Sequence, residues 1–305
     1  MTAEITHQRC RTHRATFPTF LRQRLATAGA IRLRLHLDCC AECWAAWNEY
    51  RWHQAHDSPL LRELGEFLAD DFIPFHDSSR GLAAAWDKAQ PTTPAARAEF
   101  FRSSTDYLYN STIWTASGNR PPYVRQALPV LERLGVRTLI DYGCGIGQDT
   151  LRLRTLGYAV TPCDYHSPST RFLKWRAARA NQPVQVVEPA QVDDAPDTDA
   201  LWIIDTLDHL TQPHQELTHT LLNVSAVITE NISIHKGHGT QGFHNRRSAH
   251  ELISFFGAHD FSPEVSSLLT SHLTVWRRSP TNQGLREAWR PGRRRSLIDE
   301  RDRLA

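Results

Sequence analysis

The chain has 305 residues, 40% of them apolar and 22% charged, with a formal net charge of +2 at pH 7. That length can bury a sizeable core as one large domain or two smaller ones, and the near-balanced charge gives no ground for a nucleic-acid partner. No run approaches the ~20 apolar residues of a membrane span, and residues 1–14 lack the apolar core of a secretory signal. A cytoplasmic location is the expectation.

Four of the six cysteines, Cys10, Cys39, Cys40 and Cys43, lie near the N-terminus. In a reducing compartment such a cluster points to metal before disulfide. Residues 31–50 contain no Gly or Pro and carry apolar residues at Leu33, Leu35, Leu37, Trp44 and Trp47, which predicts one helix. On it, His36, Cys40 and Cys43 project from one face, and Cys10 can supply the fourth ligand of a tetrahedral zinc site. The pattern Cys10-x25-His36-x3-Cys40-x2-Cys43 resembles the anti-sigma-type zinc finger over roughly residues 5–55. That resemblance implies one structural zinc ion on these four residues. Cys39 is a competing thiolate, and His7 or His13 is an alternative to Cys10. The other reading is a helix with buried free cysteines that pack as small hydrophobes.

Residues 58–73 read as an amphipathic helix stopped by Pro74, and residues 81–90 as a short Ala-rich piece. Pro91-Thr92-Thr93-Pro94 is a linker signal, after which residues 95–101 restart a helix capped by Thr92 or Thr93. An aromatic stretch, 107–114, precedes a turn at 118–122 and a helix at 123–134 closed by Gly135. Tyr107, Tyr109 and Trp114 are either the lining of a substrate pocket or core packing.

Residues 138–140 are an apolar and β-branched run, as in a buried parallel strand. Asp141-Tyr142-Gly143-Cys144-Gly145-Ile146-Gly147 follows, and then a helix with Leu151, Leu153 and Leu156. A strand, a Gly-rich turn and a helix N-terminus form a nucleotide-type pocket. The dinucleotide fingerprint is G-x-G-x-x-G, whereas these glycines alternate behind an acid. This form resembles motif I of the class I S-adenosylmethionine (SAM)-dependent methyltransferases, and the likeness extends over about residues 107–278. A carboxylate at the turn suits the amino group and sulfonium of SAM and repels a pyrophosphate.

The strand expected at 157–164 ends in Asp164, 17 positions beyond Gly147. That is close to the ~20-residue offset at which an acid meets the ribose hydroxyls. Tyr165 is expected to pack on the adenine. A helix at 167–181 and a strand at 183–187 lead to Asp193-Asp194, and the resemblance places Asp193 near the adenine amino group. Strand 200–205 ends in Asp205 before Thr206-Leu207-Asp208-His209-Leu210; helix 215–222, strand 224–231, helix 249–259 and final strands within 266–278 complete the pattern. Asp141, Asp164, Asp205 and Glu230 fall at strand ends and are expected on one rim. The alternation predicts an α/β, doubly wound, mostly parallel Rossmann-like sheet preceded by a small helical zinc-binding domain.

Beyond the fifth strand, His235, His238 and His244 sit in a Gly-rich loop without regular metal spacing. His209 and His244 are the candidates for a catalytic general base, against a reading as polar loop residues. The expected organisation is a zinc module at 1–58, a helical linker or lid at 59–136, a SAM-binding domain at 137–279 and a basic tail at 280–305, solvated or disordered. The resemblance implies methyl transfer from SAM, held by Asp141, Gly143, Gly145, Gly147, Asp164, Tyr165, Asp193 and Asp205, to an unidentified acceptor, with a small molecule favoured. A protein partner through the zinc module is a further expectation. The rival reading is a non-catalytic, anti-sigma-like regulator with a vestigial SAM domain. An NAD-dependent reductase has the wrong glycine spacing.

Overall fold

The computed structural model describes residues 2–22, 24–194, 198–230, 243–245, 248–264 and 273–279, with the side chains of residues 2–7, 9, 27, 193, 194 and 249, His7 among them, left outside. Its N-terminal part is helical: α1 (Thr2–Ala15), α2 (Phe17–Leu21), α3 (Thr27–Cys39) and α4 (Ala41–Ala55). The single helix expected over 31–50 is therefore two. The break is at Cys40, whose backbone is extended (φ −113°, ψ 101°) as it ends α3 and begins α4. Backbone bonds run through the break, from Cys40 N–H to His36 O and from Trp44 N–H to Cys40 O, each 2.9 Å. Cys10, Phe17, Leu21, Leu33, Leu37, Cys43 and Trp47 form the small core of this module.

Helix α5 (Pro59–Leu68) is shorter than expected, because Ala69 takes φ 48° and a 3₁₀ turn at Ala69–Asp71 follows. The Ile73 N–H then donates to the Tyr109 hydroxyl at 2.7 Å. Helix α6 (Ser78–Ala89) starts earlier than the Ala-rich piece because Asp77 caps it. Helix α7 (Pro94–Ser103) is capped by Thr93, and α8 (Thr105–Ala116) by Ser104. Helix α9 (Tyr123–Arg133) ends at Gly135, which has φ +67°. Trp52, Leu64, Leu108, Ile113 and Phe172 pack in one cluster, so α4, α5 and α8 share a core with the α/β part.

That part runs β1 (Thr138–Tyr142), α10 (Gln148–Thr155), β2 (Ala159–Cys163), α11 (Pro168–Arg179), β3 (Ala200–Ile203), α12 (Pro213–Asn223), β4 (Ala226–Glu230), α13 (Ala249–Gly257), β5 (Phe261–Pro263) and β6 (Leu273–Arg278). The strand order is β2-β1-β3-β4-β6-β5. The first four strands are parallel, and β6 is antiparallel to both β4 and β5. Alternate residues feed two cores. Ile140, Leu201, Ile203 and Val227 meet Leu217, Leu221 and Phe256 on one face, while Leu139, Trp202 and Ile228 meet Ala127, Leu131 and Leu153 on the other. Helices on both faces make the sheet doubly wound, as expected.

The strand expected at 183–187 is reduced to a parallel bridge between Cys163 and Val187. Pro162 explains this: it has no N–H to extend a ladder on that edge. Two bonds remain, Val187 N–H to Pro162 O and Asp164 N–H to Val187 O, each 3.0 Å. Among the described residues no helix is long and apolar enough to cross a membrane.

Candidate active site and metal centre

Strand β1 has β2 on one side and β3 on the other, so the chain reverses its winding there. In open α/β sheets the ligand crevice opens at that point, beyond the carboxyl ends of the strands. Gly143, Gly145 and Gly147 have φ +79°, +50° and +72°. Their surroundings differ. A Cβ on Gly143 would lie 2.0 Å from Thr206 Oγ1, and one on Gly147 would lie 2.0 Å from Leu173 Cδ1. On Gly145 it would meet only the Gly143 carbonyl oxygen, at 4.0 Å. The outer glycines permit close packing of protein on protein, while Gly145 opens onto space. A cavity of about 440 Å³ occupies that space, and Asp141, Asp164, Tyr165 and Asp205 line it.

Asp141 is buried at the end of β1 and accepts a hydrogen bond from the Thr150 hydroxyl. Burial, and then the charge of Asp149, push its pKa up to about 7. Asp164 accepts from the backbone N–H of Gly145 at 2.8 Å and of Tyr165 at 2.7 Å. Burial raises its pKa to about 6 despite those two donors. The Tyr165 ring lies beneath the Arg102 guanidinium, 4.6 Å from its centroid. Asp205 takes left-handed backbone (φ 53°) and accepts from the Tyr123 hydroxyl at 3.3 Å. Glu230 ends β4 on the expected rim but does not line the cavity. Its buried carboxylate accepts from the Asp205 N–H at 2.7 Å and holds that strained turn from behind. The Asp193 side chain lies outside the described residues.

One element of the site carries no motif. Arg120, in the turn before α9, makes a bidentate pair with Asp149 in the first turn of α10, both bonds 2.7 Å. Trp202 Nε1 donates to the same carboxylate at 3.0 Å, and Arg120 also comes within 3.9 Å of Asp205. The guanidinium is held between Trp114 and Tyr123 and lines the cavity. Nothing local marks Arg120 in the sequence, since its partner is 29 positions away.

Both candidate bases line the cavity, in different states. His209 Nδ1 lies 3.1 Å from the Phe243 carbonyl oxygen and Nε2 lies 3.0 Å from the Tyr107 hydroxyl. A carbonyl only accepts, so Nδ1 carries the proton and Nε2 accepts from Tyr107. Burial lowers the His209 pKa and keeps the ring neutral. His244 Nδ1 is 2.9 Å from Asp208 Oδ2, and its ring centroid is 4.5 Å from that of His209. Tyr107 and Trp114 line the cavity, whereas Tyr109 is core packing. His235 and His238 lie outside the described residues.

In the N-terminal module, one ligand atom each from Cys10, His36, Cys40 and Cys43 lies within 4.8 Å of all the others. Cys10 Sγ is 3.8 Å from His36 Nε2 and 3.8 Å from Cys40 Sγ. Zinc–sulfur bonds of about 2.3 Å in a tetrahedron give sulfur–sulfur edges of about 3.8 Å, so the donor set fits zinc. Burial and the neighbouring thiols push the Cys10 pKa up to about 11. The Cys43 N–H at the start of α4 is the main cause holding Cys40 below the usual thiol value. Cys39 is exposed and donates to Leu35 O at 2.7 Å, away from the cluster. His13 stacks on His36 at 4.1 Å and is not among the four.

No family model matches the chain, and no curated protein matches it. Among solved structures it is similar to the magnesium protoporphyrin IX methyltransferase of Synechocystis PCC 6803 with bound SAM, at 13% identity and a TM-score of 0.41, over 67% of this chain and 98% of that one. It is also similar to TehB from Haemophilus influenzae, at 14% identity and a TM-score of 0.40, over 55% of this chain and 66% of that one. The strand order, the antiparallel β6 and the alternating glycine turn decide the fold on their own. It is a doubly wound, Rossmann-like α/β sheet. A fold does not fix an activity, and the functional reading rests on the site.

Proposed function

We propose that the protein is a SAM-dependent methyltransferase acting on a small acceptor, with a structural zinc ion in its N-terminal module. The observation that carries the reading is the unfilled space over Gly145, walled by Asp141, Asp164 and Asp205. Three carboxylates at a nucleotide-type crevice disfavour a pyrophosphate and suit a ligand bearing an ammonium and a sulfonium. In this reading Asp164 accepts from ribose hydroxyls and Tyr165 covers the base. Arg120, fixed by Asp149, is the cation available to a carboxylate. SAM, when bound, supplies an electrophilic methyl group.

The chain's own part is alignment, exclusion of water and removal of one proton. His244 is the better base of the two. Asp208 lies 2.9 Å from its Nδ1 and orients the ring at the cavity wall, as a carboxylate does for a general base. His209 has both nitrogens engaged, so it acts as a positioning residue that orients Tyr107. Cys10, His36, Cys40 and Cys43 would hold zinc and tie α1 to the break between α3 and α4, a segment too small to fold on its own core. The test is Asp164→Ala: SAM affinity should be lost with the far-UV spectrum kept, and unchanged affinity by calorimetry contradicts the reading.

A further inference from the structure

The cavity does not end at Tyr107 and His244. It continues to the N-terminal module, where Phe20, Trp44 and Trp47, with Leu82 of α6, line a lobe together with Arg51 of α4. Arg51 is 6% exposed. Its Nη2 donates to Asn48 Oδ1 at 3.1 Å, and its Nε has no hydrogen-bond partner. Asn48 is itself held by donating to Phe75 O at 3.1 Å, which turns its oxygen toward the guanidinium. The Arg51 guanidinium also sits 5.8 Å from the Trp47 ring centroid.

No salt bridge joins Arg51 to any carboxylate among the described residues. Asp77 is the one acid whose charge acts on it, and Asp77 already accepts from Trp44 Nε1 at 2.7 Å. Burial drags the Arg51 pKa down to about 10. A buried cation without a counter-ion is costly, and such groups are normally paired. This one faces a cavity, so the missing counter-ion can come from the ligand.

We propose that the acceptor is a flat carboxylic acid, held by its carboxylate on Arg51 in the aromatic lobe, with its methyl-receiving atom at the Tyr107–His244 end. Of the arginines that line the cavity, Arg34, Arg51, Arg97 and Arg120, Arg51 is the one with a buried nitrogen lacking a hydrogen-bond partner among the described residues, and one guanidinium matches one negative charge. The aromatic walls match a planar body, and a guanidinium binds a carboxylate through two parallel N–H donors. The word acceptor rests on the methyltransferase reading; the acid-binding subsite does not.

The experiment titrates the full-length, zinc-loaded protein with three acids, each against its own primary amide: benzoate, indole-3-acetate and 4-hydroxycinnamate. Isothermal titration calorimetry reports occupancy for each acid and amide. At least one acid should bind roughly tenfold tighter than its amide, the strength of a charge-assisted bond. Arg51→Met should bring that ratio to within about twofold while SAM affinity and zinc content stay at wild-type values, and Arg51→Lys should restore part of it. If Arg51→Met fails to fold, the Arg51→Lys and Arg51→Gln pair decides by the same ratio. Equal affinities across all three pairs overturn the proposal, as does a preference that survives loss of Arg51. Displacement of the acid by inorganic phosphate at equal concentration overturns the carboxylate assignment. An acid preference in protein that binds no SAM keeps the subsite and refutes the methyltransferase reading instead.

Discussion

His244 Nδ1 and Asp208 Oδ2 stand 2.9 Å apart at the cavity wall, joined across 36 positions of sequence. The carboxylate fixes the ring's tautomer and orientation, the arrangement a base needs before it meets a substrate. His244→Gln should therefore lower the single-turnover rate with saturating SAM by about 10²-fold, and Asp208→Asn by less. SAM affinity should be unchanged in both. A His244→Gln enzyme as fast as wild type assigns the proton elsewhere.

The glycine turn separates ligand space from packing space. Gly145→Ala meets no atom closer than 4.0 Å, so its cost to the fold is the left-handed backbone alone, about 1 kcal/mol. Gly147→Ala forces its Cβ against Leu173, and overpacking adds about 1–3 kcal/mol. Urea denaturation and SAM titration should split the two. Gly145→Ala should stay folded and lose SAM, whereas Gly147→Ala should lose stability first. Equal stability losses contradict the division.

The zinc assignment predicts one zinc per chain by mass spectrometry under native conditions. Cys39→Ser should keep it; Cys10→Ser and Cys43→Ser should lose it, because Cys10 and Cys43 belong to the cluster with Cys40 and His36 and Cys39 does not. Chelation should reduce helical circular dichroism, since the metal stabilises the folded module. Full helicity after complete zinc removal shows that the cysteines pack as hydrophobes instead.

Asp141 and Asp164 link the site to pH. An aspartate titrates at 3.8 when unperturbed, whereas Asp141 titrates at about 7 and Asp164 at about 6 in the fold, both raised chiefly by burial. The native state holds these protons more tightly than the unfolded chain. Their contribution to stability is therefore full below about pH 4 and is lost as pH rises through 6 and 7. A cationic ligand acts in the opposite sense, because it favours the ionised acids and expels the protons. Calorimetry between about pH 5.5 and 7.5 should show SAM binding tighten with pH and release protons to the buffer. A pH-independent affinity without proton release removes these carboxylates from the ligand.

Much of the fold was legible because its signals are local. The apolar run of β1, the alternating glycines and the leucines of α10 lie within 20 residues of one another. Asp141, Asp164 and Asp205 were found as acids at strand ends, and they do line the cavity. Glu230 looked identical by that criterion and turned inward, because the left-handed Asp205 needed its N–H held. The break at Cys40 was invisible, since no Gly or Pro marks it. The edge strand at 183–187 was over-read because Pro162, which blocks its ladder, sits in the neighbouring strand. Arg120, Arg51 and the pairing of Asp208 with His244 were missed for one shared reason. Each acquires its role from residues or from a cavity that only the folded chain brings to it.

The central claim is that the crevice over Gly145 is built for SAM. Its most direct test is calorimetric titration of the zinc-quantified full-length protein with SAM and, separately, with NADH. The account predicts micromolar SAM binding, about one site per chain, and no NADH binding. NADH binding, or no SAM binding by folded and zinc-loaded protein, contradicts it.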